Sequence, residues 1–310
     1  MEKLEKTYKG VIVPMVTPFT LGYHVDINAV DRIAKNIVNQ GAAPFVLGST
    51  GEGPSLNLRQ KKELVRATVK AVKGNGLIYA GLTANSFTEA LHEAEYFAEA
   101  GVDVMVLTLP YYFPIDEVQM AKYFEKIADN TSLPIILYNM PAMVKRSIPL
   151  KIADKLSAHE SIVGIKDSEK DEVRITKSIK LWENRPDFSY LIGWAARSYH
   201  GLLAGADGIV PSTGNLFAKH YVDLYNNVLK FNIEKAKYLQ SLTDSLSAIY
   251  QNGRDLSYSL PALKVLMAES GWCESIVMPP MLEMEKEERL RYVESFRKKL
   301  IELELEHEKR

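Results

Sequence analysis

Short apolar stretches alternate with longer segments of helical periodicity along most of the chain. The apolar stretches are rich in Val, Ile and Leu, and helical segments with polar faces separate them. This alternation is typical of parallel strands that are covered by helices on their outer face. It predicts strands at residues 10–17, 44–48, 77–82, 104–109, 134–139, 162–166, 189–193 and 208–211.

The segments between these strands carry helix start and stop signals. Asn57 precedes the periodic segment 58–72, Ser86 opens a segment that ends before Gly101, and Asp116 suits the positive end of a helix dipole. Eight consecutive strand–helix units favour a closed (β/α)₈ barrel, the TIM barrel, over an open doubly wound sheet. The Gly-rich GxGxxG motif expected after the first strand of many open sheets is absent.

The last part of the chain continues as helices without further strands. Helical periodicity predicts helices at 232–251, 259–270 and 286–304. No Gly-, Pro- and Ser-rich linker separates them from the barrel. We therefore expect residues 8–230 to form the barrel and residues 231–310 to form a helical extension packed on it, in a single structural unit.

Composition and charge exclude several classes of protein. With 38 basic and 39 acidic residues the chain lacks the basic surface of a nucleic-acid binder. No stretch reaches the ~18 uninterrupted apolar residues of a membrane span, and the N-terminal residues have no apolar core of a signal peptide. The one cysteine, Cys273, is interpreted as a small core residue. We expect a cytoplasmic protein.

Two residues that end neighbouring strands are candidates for catalysis, because reactive groups of such barrels project from the carboxyl ends of the strands. Lys166 ends the sixth strand, where burial would favour the neutral amine that attacks a ketone to form an iminium. The alternative is a solvent-facing lysine paired with Asp167. Tyr138 ends the fifth strand and could relay a proton. Alternatively, it is an amphipathic tyrosine at the edge of the core.

The loops after the second and fourth strands offer further candidates. Ser49, Thr50 and Gly51 form a small-residue turn whose amides and hydroxyls can bind a carboxylate, although a plain strand-to-helix turn has the same composition. Tyr112 lies in an aromatic loop at 110–114. This loop could line a pocket or a subunit contact, or it could pack on its own barrel.

Metal-dependent and serine-hydrolase chemistry find no support in the motifs. The histidines show neither HxH nor HxxxH spacing, and no GxSxG motif occurs. We therefore expect a site without a metal.

Five motifs in this order resemble those of the dihydrodipicolinate synthase / N-acetylneuraminate lyase family, the class I pyruvate-type aldolases. They are GSTGE, PYY, LYNMP, GIKDS and GLLAGADGIVPST. The resemblance implies a Schiff-base lyase that joins or splits a small-molecule 2-oxo acid and an aldehyde without a metal or organic cofactor. The iminium withdraws electrons from C2 of pyruvate, so that C3 can lose a proton and add to the aldehyde.

The resemblance also implies roles for individual side chains. Lys166 matches the Schiff-base lysine, and Tyr138 matches the tyrosine that relays protons. Ser49 would link Tyr138 to a second tyrosine, Tyr112, which in this family often reaches into a neighbouring subunit. A homo-oligomer, a dimer or tetramer, is therefore expected.

The remaining contacts with the substrate are implied for small residues and backbone groups around the same end of the barrel. The resemblance assigns them to Thr50, Gly51, Ser168, Gly193, Ile209 and Ser212.

Departures from the family pattern bear on the substrate. Met143 stands where dihydrodipicolinate-forming members have an arginine for the distal carboxylate, unless Lys145 or Arg146 substitutes for it. Ala195 and Ala196 replace the Asp-Glu pair of sialic acid lyases. Our hypothesis is a 2-keto-3-deoxy sugar acid aldolase. The alternatives are dihydrodipicolinate synthase-type or dehydratase/hydratase chemistry through the same Schiff base, or a non-catalytic 2-oxo acid sensor.

Overall fold

A computed structural model describes residues 6–303. Eight parallel strands form a closed barrel in chain order, with each strand paired to the next and the last paired to the first. The prediction of a (β/α)₈ barrel followed by helices is confirmed. The strands are β1 (Gly10–Pro14), β2 (Ala43–Val46), β3 (Tyr79–Leu82), β4 (Val104–Leu107), β5 (Ile135–Asn139), β6 (Ile162–Asp167), β7 (Ser189–Ile192) and β8 (Gly208–Ile209).

The helices begin and end close to the predicted signals. Asn57 and Asp116 each form a capping box with the residue three positions on, and the Ser86 side chain accepts from the amide of Glu89. The helices are α1 (Ile27–Asn39), α2 (Leu58–Val72), α3 (Phe87–Ala100), α4 (Glu117–Ala128), α5 (Pro141–Val144), α6 (Leu150–Leu156), α7 (Glu172–Trp182), α8 (Ser198–Ala204), α9 (Gly214–Leu229), α10 (Ile233–Gln251), α11 (Leu256–Glu269) and α12 (Lys286–Glu302).

Alternate residues of each strand pack on opposite sides of the barrel wall. One set faces the helices and joins a large outer core. The other set fills the inside of the barrel, which is therefore a packed core rather than a pore. The buried members of the inner set are Ile12, Phe45, Tyr79, Val104, Val106, Ile136, Tyr138, Leu191 and Val210.

Several strands are shorter than predicted at their carboxyl ends. The first strand was expected to reach residue 17 but ends at Pro14, and the last ends at Ile209 rather than at residue 211. Pro211 has no N–H group with which to continue a ladder. Beyond the last paired residues the chain turns into the loops that surround this end of the barrel, which we call the mouth.

The opposite end, the floor, is closed by a buried lysine. Lys6 precedes β1, and its Nζ bonds the carboxylate of Asp207 at 2.9 Å. The same amine donates to the carbonyls of Trp182 and Phe188 at 3.2 and 2.7 Å. Phe188 and Asp207 directly precede β7 and β8, so one ammonium group joins the first described residue of the chain to the amino ends of these two strands.

The C-terminal helices pack in sequence against one another and against the last barrel helices. α10 contacts α8 and α9, α11 contacts α10, and α12 contacts α11. α11 begins at Leu256, earlier than predicted, because Asp255 caps it. α12 buries only Phe296 and Leu300, in keeping with its high charge. Its predicted end at residue 304 lies outside the described residues. Cys273 is buried, as predicted.

None of the helices within residues 6–303 has the length and apolar character needed to cross a lipid bilayer.

Candidate active site

Lys166 and Tyr138 lie side by side at the mouth. They are register partners on β6 and β5, and both side chains face the inside of the barrel. The Lys166 Nζ atom lies 3.9 Å from the centroid of the Tyr138 ring and 4.9 Å from that of Phe45. Lys166 is only 5% exposed. Among the described residues, no carboxylate forms an ion pair with it. The structure thus holds a buried amine against two aromatic faces.

Asp167 lies on the other side of the barrel wall and does not pair with Lys166. Its Oδ2 accepts from Arg174 Nε at 2.5 Å, and its Oδ1 accepts from the amide of Asn139 at 2.7 Å. Burial raises the pKa of Asp167, while the charge of Arg174 and hydrogen bonds from Asn139 and Arg174 act in the opposite direction. The alternative interpretation of Lys166 as one half of a Lys166–Asp167 pair is therefore wrong.

The outward residues next to the two candidate catalytic groups form a network that fixes the loop after β5. Asn139 follows Tyr138, and its Oδ1 accepts from the amide of Ile148 at 2.9 Å. Arg174 donates from Nη2 to the carbonyl of Ile148 at 2.8 Å. Because the same Asn139 and Arg174 side chains also bind Asp167, β5, β6, α7 and residue 148 are held together immediately beneath the site.

Two serine hydroxyl groups converge at Tyr138. Ser49 Oγ lies 3.3 Å from Tyr138 Oη, and Ser168 bonds to the same phenol. Burial alone would raise the pKa of the Tyr138 hydroxyl, but the charge of Lys166 and hydrogen bonds with Lys166, Ser49 and Ser168 hold this pKa below its ordinary value. The phenolate form of such a residue can accept a proton from an adjacent ammonium group, and the phenol can return it.

Gly193 and Ser168 are in contact where β6 and β7 end. The amide of Gly193 donates to the carbonyl of Asp167 at 2.6 Å, and a Cβ atom at this position would collide with the Ser168 hydroxyl. Only glycine lets the two strands approach here. The side chain of Ile209 belongs to the outer core, so that only its backbone can line the inside of the barrel.

The structure does not bring every predicted site residue to Lys166. Tyr112 is 72% exposed and packs edge-on against Phe113, and within residues 6–303 no hydrogen bond joins it to Ser49. Met143 lies on α5 and is 42% exposed. Ser212 follows β8, but its hydroxyl is bonded to groups of α10, at 2.7 Å from Tyr250 Oη and 3.2 Å from Gln251 Nε2.

The turn after β2 is compact and buried. The Thr50 side chain is buried, and the carbonyl of Gly51 accepts from the Thr17 hydroxyl at 2.5 Å. A Cβ atom on Gly51 would lie 2.9 Å from the carbonyl oxygen of Met15, closer than such contacts allow. The small residues of this turn are therefore needed for its fit against the loop after β1.

Sequence reasoning missed three features of this site. Phe45 forms part of the wall around Lys166, and Arg174 balances the buried Asp167. Glu52, at the end of the same turn as Ser49, is fully buried against Lys264. A period-2 pattern places Phe45 inside the barrel, but no local signal identifies the Asp167–Arg174 and Glu52–Lys264 pairs, which depend on how α7 and α11 pack.

Within the part of the chain that the structure describes, no three His, Cys, Asp or Glu side chains are grouped so that they could hold a metal ion.

Comparisons with known proteins agree with this geometry. The family model described as "Dihydrodipicolinate synthetase family" matches residues 7–299. A 4-hydroxy-tetrahydrodipicolinate synthase of Leptospira biflexa serovar Patoc is 29% identical over 278 residues, which cover 89% of this chain and 92% of that protein. A second enzyme of this name from Clostridium acetobutylicum is 28% identical and is covered to 92% of its length.

Solved structures show the same fold. A dihydrodipicolinate synthase from Bacteroides thetaiotaomicron superposes with a TM-score of 0.88 at 28% identity, covering 96% of this chain and all of that one. The synthase from Aquifex aeolicus gives 0.85 at 26% identity, with 94% and 98% covered. The resemblance that the motifs carry is thus confirmed over nearly the whole chain. The protein belongs to the dihydrodipicolinate synthetase family and, like its members, is a class I pyruvate-dependent lyase.

Proposed function

We propose that Lys166 forms the Schiff base with pyruvate and that Tyr138 moves the protons of this reaction. The observation that carries the proposal is a buried amine that has no carboxylate partner among residues 6–303 and lies 3.9 Å from the ring of a phenol whose pKa is lowered. A lysine needs to lose its proton before it can attack a carbonyl carbon. The Tyr138 phenolate lies beside the amine and is able to accept that proton.

The steps follow from this arrangement. The neutral amine of Lys166 attacks C2 of pyruvate and gives a carbinolamine, whose hydroxyl leaves as water once Tyr138 has protonated it. The resulting iminium withdraws electrons from C3, which loses a proton and becomes an enamine. The enamine adds to the carbon of an aldehyde, and the aldehyde oxygen takes up a proton. Water then hydrolyses the new iminium and releases Lys166; cleavage is the reverse.

The turn after β2 is the proposed binding site of the pyruvate carboxylate. Ser49 bonds Tyr138, so a carboxylate bound by the amides and hydroxyls of Thr50 and Gly51 would lie next to the reacting carbon. Ser168, Gly193 and the backbone of Ile209 would complete the pocket on the opposite side. Ser212 would act through the hydroxyl cluster that it forms with Tyr250.

For the aldehyde we propose a hydroxylated rather than an acidic compound, as in a 2-keto-3-deoxy sugar acid. Met143 offers no charge to a distal carboxylate, while Ser168 and Ser212 supply hydroxyls at the mouth.

A second candidate function is the 4-hydroxy-tetrahydrodipicolinate synthesis for which the relatives are named. The similarity of this chain to those relatives favours it, and so does Arg146. This guanidinium is partly buried and has no ion pair or hydrogen bond among residues 6–303, so it is free to bind an anion.

We also propose that the protein acts as a homo-oligomer, a dimer or tetramer. The loop with Tyr111, Tyr112 and Phe113 exposes more than half of each aromatic side chain. Contiguous exposed aromatic surface is typical of protein contacts. A neighbouring copy that covers this loop would place Tyr112 beside the partner's Ser49, a contact that is not made within one chain.

Borohydride reduction in the presence of pyruvate tests the central claim. We expect a stable adduct on Lys166, located by peptide mass spectrometry, and none in Lys166→Met. Unmodified protein at saturating pyruvate would reject the imine mechanism. A panel of 2-oxo acids scored for aldehyde release, and of neutral and carboxylate-bearing aldehydes scored for condensation with pyruvate, then separates the two substrate candidates. Water loss without aldehyde release would identify a dehydratase instead.

A further inference from the structure

Glu52 and Lys264 form an ion pair that is sealed inside the protein. Glu52 is the last residue of the turn that carries Ser49 and Thr50, and Lys264 lies on α11. Both side chains are 0% exposed, and Lys264 Nζ is in direct contact with Glu52 Oε1. The two residues are 212 positions apart in sequence. The turn after β2 is therefore tied to the C-terminal helices.

The pair is fully bonded to its surroundings. Glu52 Oε2 accepts from the amide of Met278 at 2.6 Å, and Lys264 donates to the carbonyl of Ile276 at 2.8 Å. The ammonium group also lies 4.2 Å from the centroid of the Phe19 ring. The pair is thus held from two further segments, residues 276–278 and the loop with Phe19.

Stability alone is a poor reason for such a pair. Burial raises the pKa of Glu52 and lowers that of Lys264, against the attraction between them. Apolar residues of similar volume are often as good or better at stabilising a core, since two charges lose their hydration. The ion pair has an effect that apolar residues do not have. Because both oxygens of the Glu52 carboxylate are bound in fixed directions, the position of the Glu52 backbone is fixed as well.

The position of the Glu52 backbone determines the geometry of the turn that we propose to bind the pyruvate carboxylate. Glu52 has a left-handed φ of 56°, and its amide bonds the carbonyl of Ser49 at 3.2 Å. The amide of Gly53 bonds the carbonyl of Gly48 at 3.2 Å. The turn is closed on itself by these bonds, so a displacement of Glu52 moves Ser49 and Thr50 with it.

We propose that Glu52 and Lys264 are positioning residues, through which the C-terminal helices hold Ser49 and Thr50 in the geometry that binds pyruvate. This inference rests on the proposed function of the turn. It predicts that pyruvate binding depends on a contact made far from the substrate, at the back of the turn.

A second buried pair provides a matched control. Lys61 on α2 and Glu93 on α3 are joined at 2.6 Å, and both are almost fully buried. This pair ties two barrel helices together and includes no residue of the turn. The control therefore separates the effect of losing any buried ion pair from the effect of losing the Glu52–Lys264 pair.

The test compares Glu52→Gln, the neutral double variant Glu52→Gln/Lys264→Met, and Lys61→Met/Glu93→Gln. In each variant we would measure the pyruvate concentration that gives half-maximal borohydride trapping, together with kcat, KM and thermal unfolding. We expect this concentration and KM to rise about tenfold in both Glu52 variants, the loss of one directed contact to a charged group. kcat should change less than KM. The Lys61/Glu93 variant should bind pyruvate as the wild type does.

The double variant separates a positioning role of the pair from its effect on stability. It contains no unpaired buried charge, so it should recover thermal stability relative to Glu52→Gln while its pyruvate binding stays weak. Unchanged pyruvate binding in a folded Glu52 variant would overturn the proposal, as would equal weakening in the Lys61/Glu93 control. If neither Glu52 variant folds, the pair is a folding requirement and the proposal is rejected. Failure of the wild type to trap pyruvate would instead reject the proposed function.

Discussion

The two ends of the barrel each bury a lysine, and the two lysines have opposite surroundings. At the floor, Lys6 binds the carboxylate of Asp207 and two backbone carbonyls. At the mouth, Lys166 faces the rings of Tyr138 and Phe45, and within residues 6–303 no carboxylate pairs with it. The bonded lysine at the floor joins separate elements of the barrel. The lysine at the mouth lies against rings and a phenol, where we propose that it reacts with the substrate.

The comparison predicts that removal of Lys166 abolishes activity without weakening the fold. In Lys166→Met we expect turnover to fall about 10⁴-fold or more, as for loss of a nucleophile. The melting temperature should stay the same or rise, because a buried amine without a counter-ion is replaced by an apolar side chain of similar length. Mass spectrometry after reduction and thermal unfolding measure the two effects. Substantial residual trapping would place the Schiff base on another lysine.

Replacement of Tyr138 tests the proposed proton relay at the mouth. Tyr138→Phe should lower kcat by roughly 10²–10⁴ if the hydroxyl relays protons. Because the pKa of Tyr138 is lowered, the fraction of phenolate grows as pH rises through a value below the usual 10. Wild-type turnover should therefore increase with pH in that range, and the variant should lack this rise. A pH–rate profile that is the same in both proteins would contradict the role.

Removal of the lysine at the floor should lower the stability of the protein and leave its turnover unchanged. Lys6→Met removes one side of the buried Lys6–Asp207 ion pair, and such a loss typically costs about 3–5 kcal/mol of unfolding free energy. Turnover per folded molecule should not change. Denaturant unfolding checks the first statement and active-site titration by borohydride trapping checks the second. A stable variant with poor turnover would show that the two ends are coupled.

The smallest expected effect concerns the rim of the mouth. Met143→Arg should raise the preference for a carboxylate-bearing over a neutral aldehyde about tenfold, since one charged hydrogen bond contributes about 1.5–3 kcal/mol and the position is partly exposed. Met143→Leu serves as the control and should leave the preference as it is. The ratio of kcat/KM for the two aldehydes is the measurement. An unchanged ratio in the arginine variant would mean that residue 143 does not face the substrate.

The sequence was informative wherever a signal is local. Apolar runs located the strands, and Asn57, Ser86 and Asp116 marked helix starts that the structure confirms. Position at a strand end made Lys166 and Tyr138 candidates, and the resemblance of the five motifs assigned them to one site. Strand ends were less accurate, because residues beyond the ladder remain apolar when they line a crowded mouth.

Contacts that depend on how a helix packs could not be foreseen. Arg174 lies only seven residues from Asp167, and Lys264 lies 212 residues from Glu52, but both pairs depend on helix packing. The bonding of Ser212 to α10 likewise depends on where that helix packs. Tyr112 is different in kind, because its proposed partner lies on another copy of the chain.

The Asn139 network has a practical consequence for altering this enzyme. Asn139 holds the amide of Ile148 on one side and the carboxylate of Asp167 on the other, so the segment between Met140 and Ile148 leaves and rejoins the scaffold at anchored points. Such a segment is suited to loop grafting. Exchange of residues 141–146 for those of relatives with other aldehydes should transfer selectivity while Lys166 and Tyr138 keep their register.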